Sequence, residues 1–191
     1  MIVVVDVEAA EADLAAGVLA CPGCGGRLRP WSWAPVRRIR MLAGAVAVRP
    51  RRTRCASCRG THLLLPAWCL PRRADAVEVV GTALVAHAAG QGHRRIATEL
   101  GRPVSTVRRW LRAVRGQHGR WLYRQAVEHT ARLAPELLAE IGAQPTELGD
   151  VLTALTAAVL AVGRRLDRVT PTWSLVGLLT RGRLLTPAPS G

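Results

Sequence analysis

The sequence predicts a mainly α protein, with a small β unit at the N-terminus, a unit of three short helices, and a helical C-terminal region. Three observations carry this. The chain between two Cys-x-x-Cys pairs, Cys21/Cys24 and Cys55/Cys58, has an extended, strand-like pattern. From Val77 onward apolar residues recur at spacings of three and four, the period of an amphipathic helix. Gly90, Gly92, Gly101 and Pro103 then break that pattern into short pieces. The resulting division is 1–70, 71–116 and 117–191.

In the first unit the cysteines read Cys21-Pro-Gly-Cys24-Gly-Gly and Cys55-Ala-Ser-Cys58-Arg-Gly, with Cys69 left over. Each Cys-x-x-Cys places two thiolates on one tight turn. Gly26 and Gly60, two residues past each second cysteine, let that turn close without a Cβ clash. Between the pairs, Val36–Leu42 and Ala45–Arg54 look like strands joined at Ala43–Gly44. Two such turns joined by strands form a zinc ribbon, with Cys21, Cys24, Cys55 and Cys58 as a closed thiolate cage for a structural Zn²⁺. The same ligand set also suits a rubredoxin-type iron site. A redox dithiol would want one Cys-x-x-Cys beside a βαβ pattern, which is missing. Catalytic zinc would keep an open position; His62 is near, but four thiolates complete the shell. Cys69 reads as a small buried apolar residue.

In the second unit, Val77, Val80, Leu84, Val85 and Ala88 form one stripe of a helix that Gly90 and Gly92 end. A second helix fits Arg94–Leu100. Gly101 stands where a left-handed turn residue is needed, and Pro103 allows a third helix to start, running from about Val104 to Arg115. The stretch Arg94–Arg112, RRIATELGRPVSTVRRWLR, holds six arginines in nineteen residues. Ala97 sits where two helices touch, Ile96 and Leu100 face Val107 and Trp110, and Leu111 and Val114 extend the inner stripe. This is the buried skeleton of a helix-turn-helix whose later helix enters the DNA major groove. Ser105, Thr106, Arg108, Arg109 and Arg112 are left outward as the DNA face, with Arg72, Arg73 and Arg94 flanking it as phosphate contacts.

The charge agrees with that placement. The chain of 191 residues carries a formal charge of +14, and all 27 basic residues are arginine. GC-rich codon usage accounts for the missing lysine, and for the missing Phe and Asn, so lysine's absence says little about mechanism. Residues 1–70 have 10 Arg against 4 acids, residues 71–125 have 11 against 3, and residues 126–191 have 6 against 6. An anionic polymer, double-stranded DNA, is the expected partner of the first two thirds. The N-terminus, MIVVVDVEAAEAD, lacks the basic start and long apolar core of a secretory signal. Val151–Val162 is too short to span a bilayer. A cytoplasmic, nucleoid-associated protein with no membrane partner is expected, its cysteines reduced.

The neutral last third reads as a helix over 117–134 with Trp121, Leu122, Ala126 and Leu133, and a helical stretch at Glu136–Ile141. After AQPTELGD comes a longer helix capped by Thr146 and running to about Leu166. Leu152, Leu155, Val159, Leu160 and Val162 form its apolar face. A short helix starts near Pro171, and the tail TPAPSG reads as disordered. This third either packs back on the helix-turn-helix or serves as a homodimer or partner surface.

The order C-P-x-C, C-x-x-C, I-A-x-x-L-G-x-x-x-x-T-V-x-R-W over residues 21–115 resembles the zinc-ribbon and helix-turn-helix front end of bacterial insertion-sequence proteins. Some elements encode this module as a short accessory protein, and others fuse it to a catalytic transposase. The resemblance implies zinc on the four cysteines and element-end DNA on the Ser105–Arg112 face. Met1–Ala20 and the last third have no counterpart. A strand-transfer enzyme would need three carboxylates on a ribonuclease-H-like sheet. Glu128, Glu136, Glu140, Glu147, Asp150 and Asp167 lie instead in helical patterns. Ser32, Ser57, Ser174 and Ser190 lack the setting of a recombinase nucleophile. The leading reading is a non-catalytic DNA-binding accessory or transcriptional regulator. The alternatives are the DNA-binding part of a transposase whose catalytic domain is encoded separately, and a zinc-ribbon module that docks a protein.

Overall fold

The computed structural model describes residues 1–166 and 169–187. Six strands and seven α-helices follow in the order β1 (Ile2–Val4), α1 (Val7–Ala16), β2 (Leu28–Trp33), β3 (Arg37–Arg40), β4 (Ala45–Val48), β5 (Arg51–Cys55), β6 (Thr61–Pro66), α2 (Val77–Ala88), α3 (His93–Glu99), α4 (Val104–Ala113), α5 (Gly116–Leu133), α6 (Glu147–Gly163) and α7 (Thr172–Leu179). A 3-10 turn spans Pro135–Glu140.

The expectation of a mainly α chain with only a small ribbon is overturned. Strand makes up 18% of the chain beside 48% helix. It forms a mixed four-stranded sheet, order β1-β6-β5-β2, and a separate β3–β4 hairpin. Two segments account for the difference. β1 runs parallel to β6, with Ile2 opposite Leu64 and Val4 opposite Pro66, and at three residues it is too short to show a period. The second part of β6, residues 63–66, is a continuous apolar run because it is covered on both sides, so it lacks the alternation of a half-exposed strand. The expected strand Ala45–Arg54 is split, with β4 ending before Arg49–Pro50 and β5 starting at Arg51 in the other sheet. A proline carries no ladder donor and suits such a break.

The two faces of the four-stranded sheet have different covers. Leu28, Cys55 and Leu64 share one face with Cys21, and Ala10 and Leu14 of α1 bury it. Asp6 caps α1 by accepting the Ala9 N–H at 3.0 Å, and Gly17, at φ 71°, ends it. On the opposite face, Leu63 and Leu65 of β6 pack into the core of the helical body. Further along that same face, Arg52 and Arg54 of β5 lie opposite Leu63 and Thr61 in register. On this second face the sheet is thus roofed by helices at its β1–β6 end and open at its β2–β5 end.

The helical body shares one buried cluster, from Val77 and Leu84 through Trp110 and Leu122 to Leu155 and Leu175. The last third packs back: α5 lies against α6, and both α6 and α7 reach α2. Two close approaches show how tightly. A Cβ on Gly177 of α7 would stand 1.9 Å from the Ala67 carbonyl oxygen, and one on Gly81 of α2 would meet the Trp173 ring at 2.1 Å. Thr146 caps α6, its hydroxyl accepting the Gly149 N–H at 3.0 Å. Val85 and Leu160, expected on inner stripes, instead point outward. Asp167, Ser190 and the end of the expected disordered tail lie outside the described residues. Among the described residues no helix is long and apolar enough to cross a membrane.

Candidate metal centre and nucleic-acid interface

The two Cys-x-x-Cys turns are built alike. Cys21 N–H donates to Gly26 O at 2.8 Å, and Cys55 N–H donates to Gly60 O at 2.9 Å. In each turn the residue after the second cysteine is left-handed: Gly25 at φ 72° and Arg59 at φ 60°. A Cβ on Gly26 would come within 2.4 Å of Ser57 Oγ, and one on Gly60 within 3.3 Å of Cys58 Sγ, so both glycines are where the turns need them. The β2–β5 pairing, with Leu28 opposite Cys55, sets the turns face to face.

All four sulfurs of Cys21, Cys24, Cys55 and Cys58 lie within 4.8 Å of one another. Cys24 Sγ is 3.5 Å from Cys55 Sγ, and Cys21 Sγ is 3.8 Å from Cys58 Sγ. Zn–S bonds of about 2.3 Å in a tetrahedron put sulfurs about 3.8 Å apart. The cluster therefore has the size and donor set to hold a metal ion. Its electrostatics point the same way. The Cys58 N–H, outweighing burial and aided by the Ser57 N–H, holds the Cys55 thiol down at about 6. At Cys58 the Gly60 N–H favours the thiolate, but the sulfurs of Cys24, Cys55 and Cys21 crowd it and push the thiol up to about 11. Neighbouring thiolates resist ionising together, and a bound cation removes that penalty. His62 Nε2 lies 3.3 Å from Cys21 Sγ, placed to orient a ligand from outside the cage. Cys69 is buried in the core of the helical body and is not part of the cage, and that burial pushes its thiol up to about 12.

The second candidate site is the face of α4. Val107, Trp110, Leu111 and Val114 are buried, Trp110 at 1% exposure. Ser105, Arg108, Arg109 and Arg112 are exposed and Thr106 is half-buried. Gly101, at φ 59°, makes the α3–α4 turn, and Ile96 and Ala97 of α3 are buried against the same core. Of the flanking arginines, Arg72 and Arg94 are exposed and Arg73 is half-buried. Arg72 sits at φ 57°, and the Arg73 carbonyl accepts from Arg37.

One feature of this unit was not legible in the sequence. Asp75, 3% exposed, accepts from Arg102 Nε and from Arg40 Nη2, each at 2.6 Å. Arg102 also donates to the carbonyls of Leu100 at 2.8 Å and Met41 at 3.1 Å. Arg102 is thus a clamp between the β3–β4 hairpin and the turn that aims α4, and is not free for DNA. Arg95 is likewise paired, with Glu99 at 2.8 Å.

Residues 21–110 match a family model described as a domain of unknown function, DUF6431. The match begins at the first cysteine of the cage and ends at the buried Trp110 of α4, so it takes in the whole cage and the α4 face up to Arg109, with Arg112 outside it. No curated protein and no solved structure matches the chain.

Proposed function

We propose that this protein is a non-catalytic, zinc-stabilised helix-turn-helix DNA-binding protein. In this reading it is an accessory of a mobile element, working beside a separately encoded transposase, or a transcriptional regulator. The carrying observation is the division of α4 into a buried stripe of Val107, Trp110, Leu111 and Val114 and an exposed face of Ser105, Arg108, Arg109 and Arg112. Guanidinium groups on a groove-facing helix can bridge guanine O6 and N7, and in this reading the exposed Arg72 and Arg94 take phosphates.

Zn²⁺ is the metal this reading assigns to the cage, because four thiolates at tetrahedral spacing suit it and leave no open position for chemistry. Bound there, it supplies a cross-link. The protein's own residues then carry the rest: β5 joins Cys55 to β6, the hairpin joins the sheet to Asp75, and Asp75 holds Arg102 at the base of α4. The metal-held fold thereby sets the aim of the reading helix.

The test is selection of bound sequences from random duplex DNA by the intact protein. A defined motif recovered over successive rounds supports the reading, and recovery of random sequence alone would remove sequence-specific binding.

A further inference from the structure

The open end of that face of the four-stranded sheet carries charge that no ion pair among the described residues balances. Arg29 of β2 lies directly opposite Arg54 of β5, and like charges directly across a ladder destabilise it. Arg52 follows on the same face, two residues from Arg54. Among the described residues none of the three joins an ion pair. Those that do are Arg40, Arg51, Arg95, Arg102 and Arg164. The ladder register shifts between Pro30 and Ser32, leaving Trp31 as a bulged residue beside this cluster. Trp31 is 57% exposed, and the Arg54 guanidinium lies over its ring, 4.6 Å from the centroid. A bulge re-aims a side chain, and a guanidinium stacked on an indole is held extended with its donor edge free.

We propose that Arg29, Arg52 and Arg54, with Trp31 beneath Arg54, form a second DNA-contacting face that takes backbone phosphates of the duplex read by α4. The reading of α4 as a DNA-binding helix underlies this proposal. One observation favours phosphates over bases, and a second ties the face to the helical body. The Trp31 ring is already stacked by Arg54, so it offers a support for a guanidinium and not a bare platform for an unpaired base. The face also lies on the same side of the sheet as Leu63 and Leu65, which pack into the helical body that holds α4. In this proposal a duplex held by α4 extends along that side of the sheet to reach the three arginines. Its contacts would add affinity and orientation with no sequence preference.

The experiment measures binding to random-sequence duplex DNA across a range of salt. It uses wild-type protein, Arg29→Gln/Arg52→Gln, and Arg29→Lys/Arg52→Lys as the charge-retaining control. Both positions are exposed, and a melting temperature at or above that of wild type, with unchanged metal content, confirms the fold. The expected result is a slope of log affinity against log salt shallower by about 2 in the Gln variant, since each phosphate contact contributes about 0.9. The Lys control keeps the wild-type slope, and base preference on the selected site stays the same in all three. An unchanged slope in the Gln variant overturns the proposal. Failure of the α4 reading looks different: Arg108→Ala then changes nothing on any duplex, while the Gln variant still loses its contacts. Equal, Arg29- and Arg52-dependent binding of polyglutamate would mark the face as a dock for acidic protein and overturn the assignment to DNA.

Discussion

Replacing Trp110 by Ala tests the assignment of inner and outer faces on α4. Trp110 is 1% exposed, and it is the largest of the fully buried side chains in the described structure. It shares its cluster with Val107, Leu111, Ile96 and Leu84. Cutting it to Ala removes an indole that neighbouring helices can only partly refill, a change that costs roughly 3–5 kcal/mol. A domain of this size has about 5–15 kcal/mol in total, so the variant should unfold at a much lower urea midpoint. Arg109→Ala, one residue earlier on the exposed face, should shift stability by less than about 0.5 kcal/mol. Urea unfolding followed by far-ultraviolet circular dichroism is the assay, since the first substitution removes a fluorophore. If the two variants unfold like wild type, or if Arg109→Ala is the more damaging, the division of the helix is wrong.

Four further outcomes follow from the same structure. Purified protein should contain about one zinc per chain, and Cys24→Ser should lose both the metal and the N-terminal fold, because thiolate zinc sites contribute on the order of 10 kcal/mol to folding; metal analysis of reduced protein checks this. Asp75→Ala should cost roughly 2–4 kcal/mol in urea unfolding, less than a fully buried pair because Arg40 is 43% exposed. Gly177→Ala, which drives a methyl into the Ala67 carbonyl, should cost at least about 1–3 kcal/mol by overpacking; a melting curve like wild type would contradict the docking of α7. Gly101→Ala, at φ 59° in the α3–α4 turn, should cost about 1 kcal/mol and weaken duplex binding more than Gly92→Ala.

What the sequence made legible was local. Each Cys-x-x-Cys-x-Gly turn is fixed by six consecutive residues, so Gly26 and Gly60 could be read before any fold was known. The helices of the α2–α4 unit were legible because each shows its own period and its own stop, with Gly101 between them. What stayed hidden depends on residues far apart in the chain. The parallel pairing of Ile2–Val4 with Leu64–Pro66 joins segments with the whole ribbon between them. Asp75 reaches Arg102 and Arg40 from 27 and 35 positions away, and no spacing rule connects them. Val85 and Leu160 fit an apolar stripe in sequence yet face outward. Periodicity gives the width of a stripe, and which part of it is covered depends on where the neighbouring helices cross.

The most direct test of the central claim compares wild-type protein with Arg108→Ala on a selected duplex and on a scrambled one, across a range of salt. Wild-type binding should weaken steeply with salt, at about 0.9 in slope per phosphate contact. Arg108→Ala should lose about 1–3 kcal/mol, mainly on the selected duplex, and relax preference at one base pair. Arg72→Ala, Arg73→Ala or Arg94→Ala should weaken both duplexes alike and lower the slope by about 1. Equal losses for Arg108→Ala on the two duplexes would reduce Arg108 to a phosphate contact, and no loss on either would contradict the account of α4 as a reading helix.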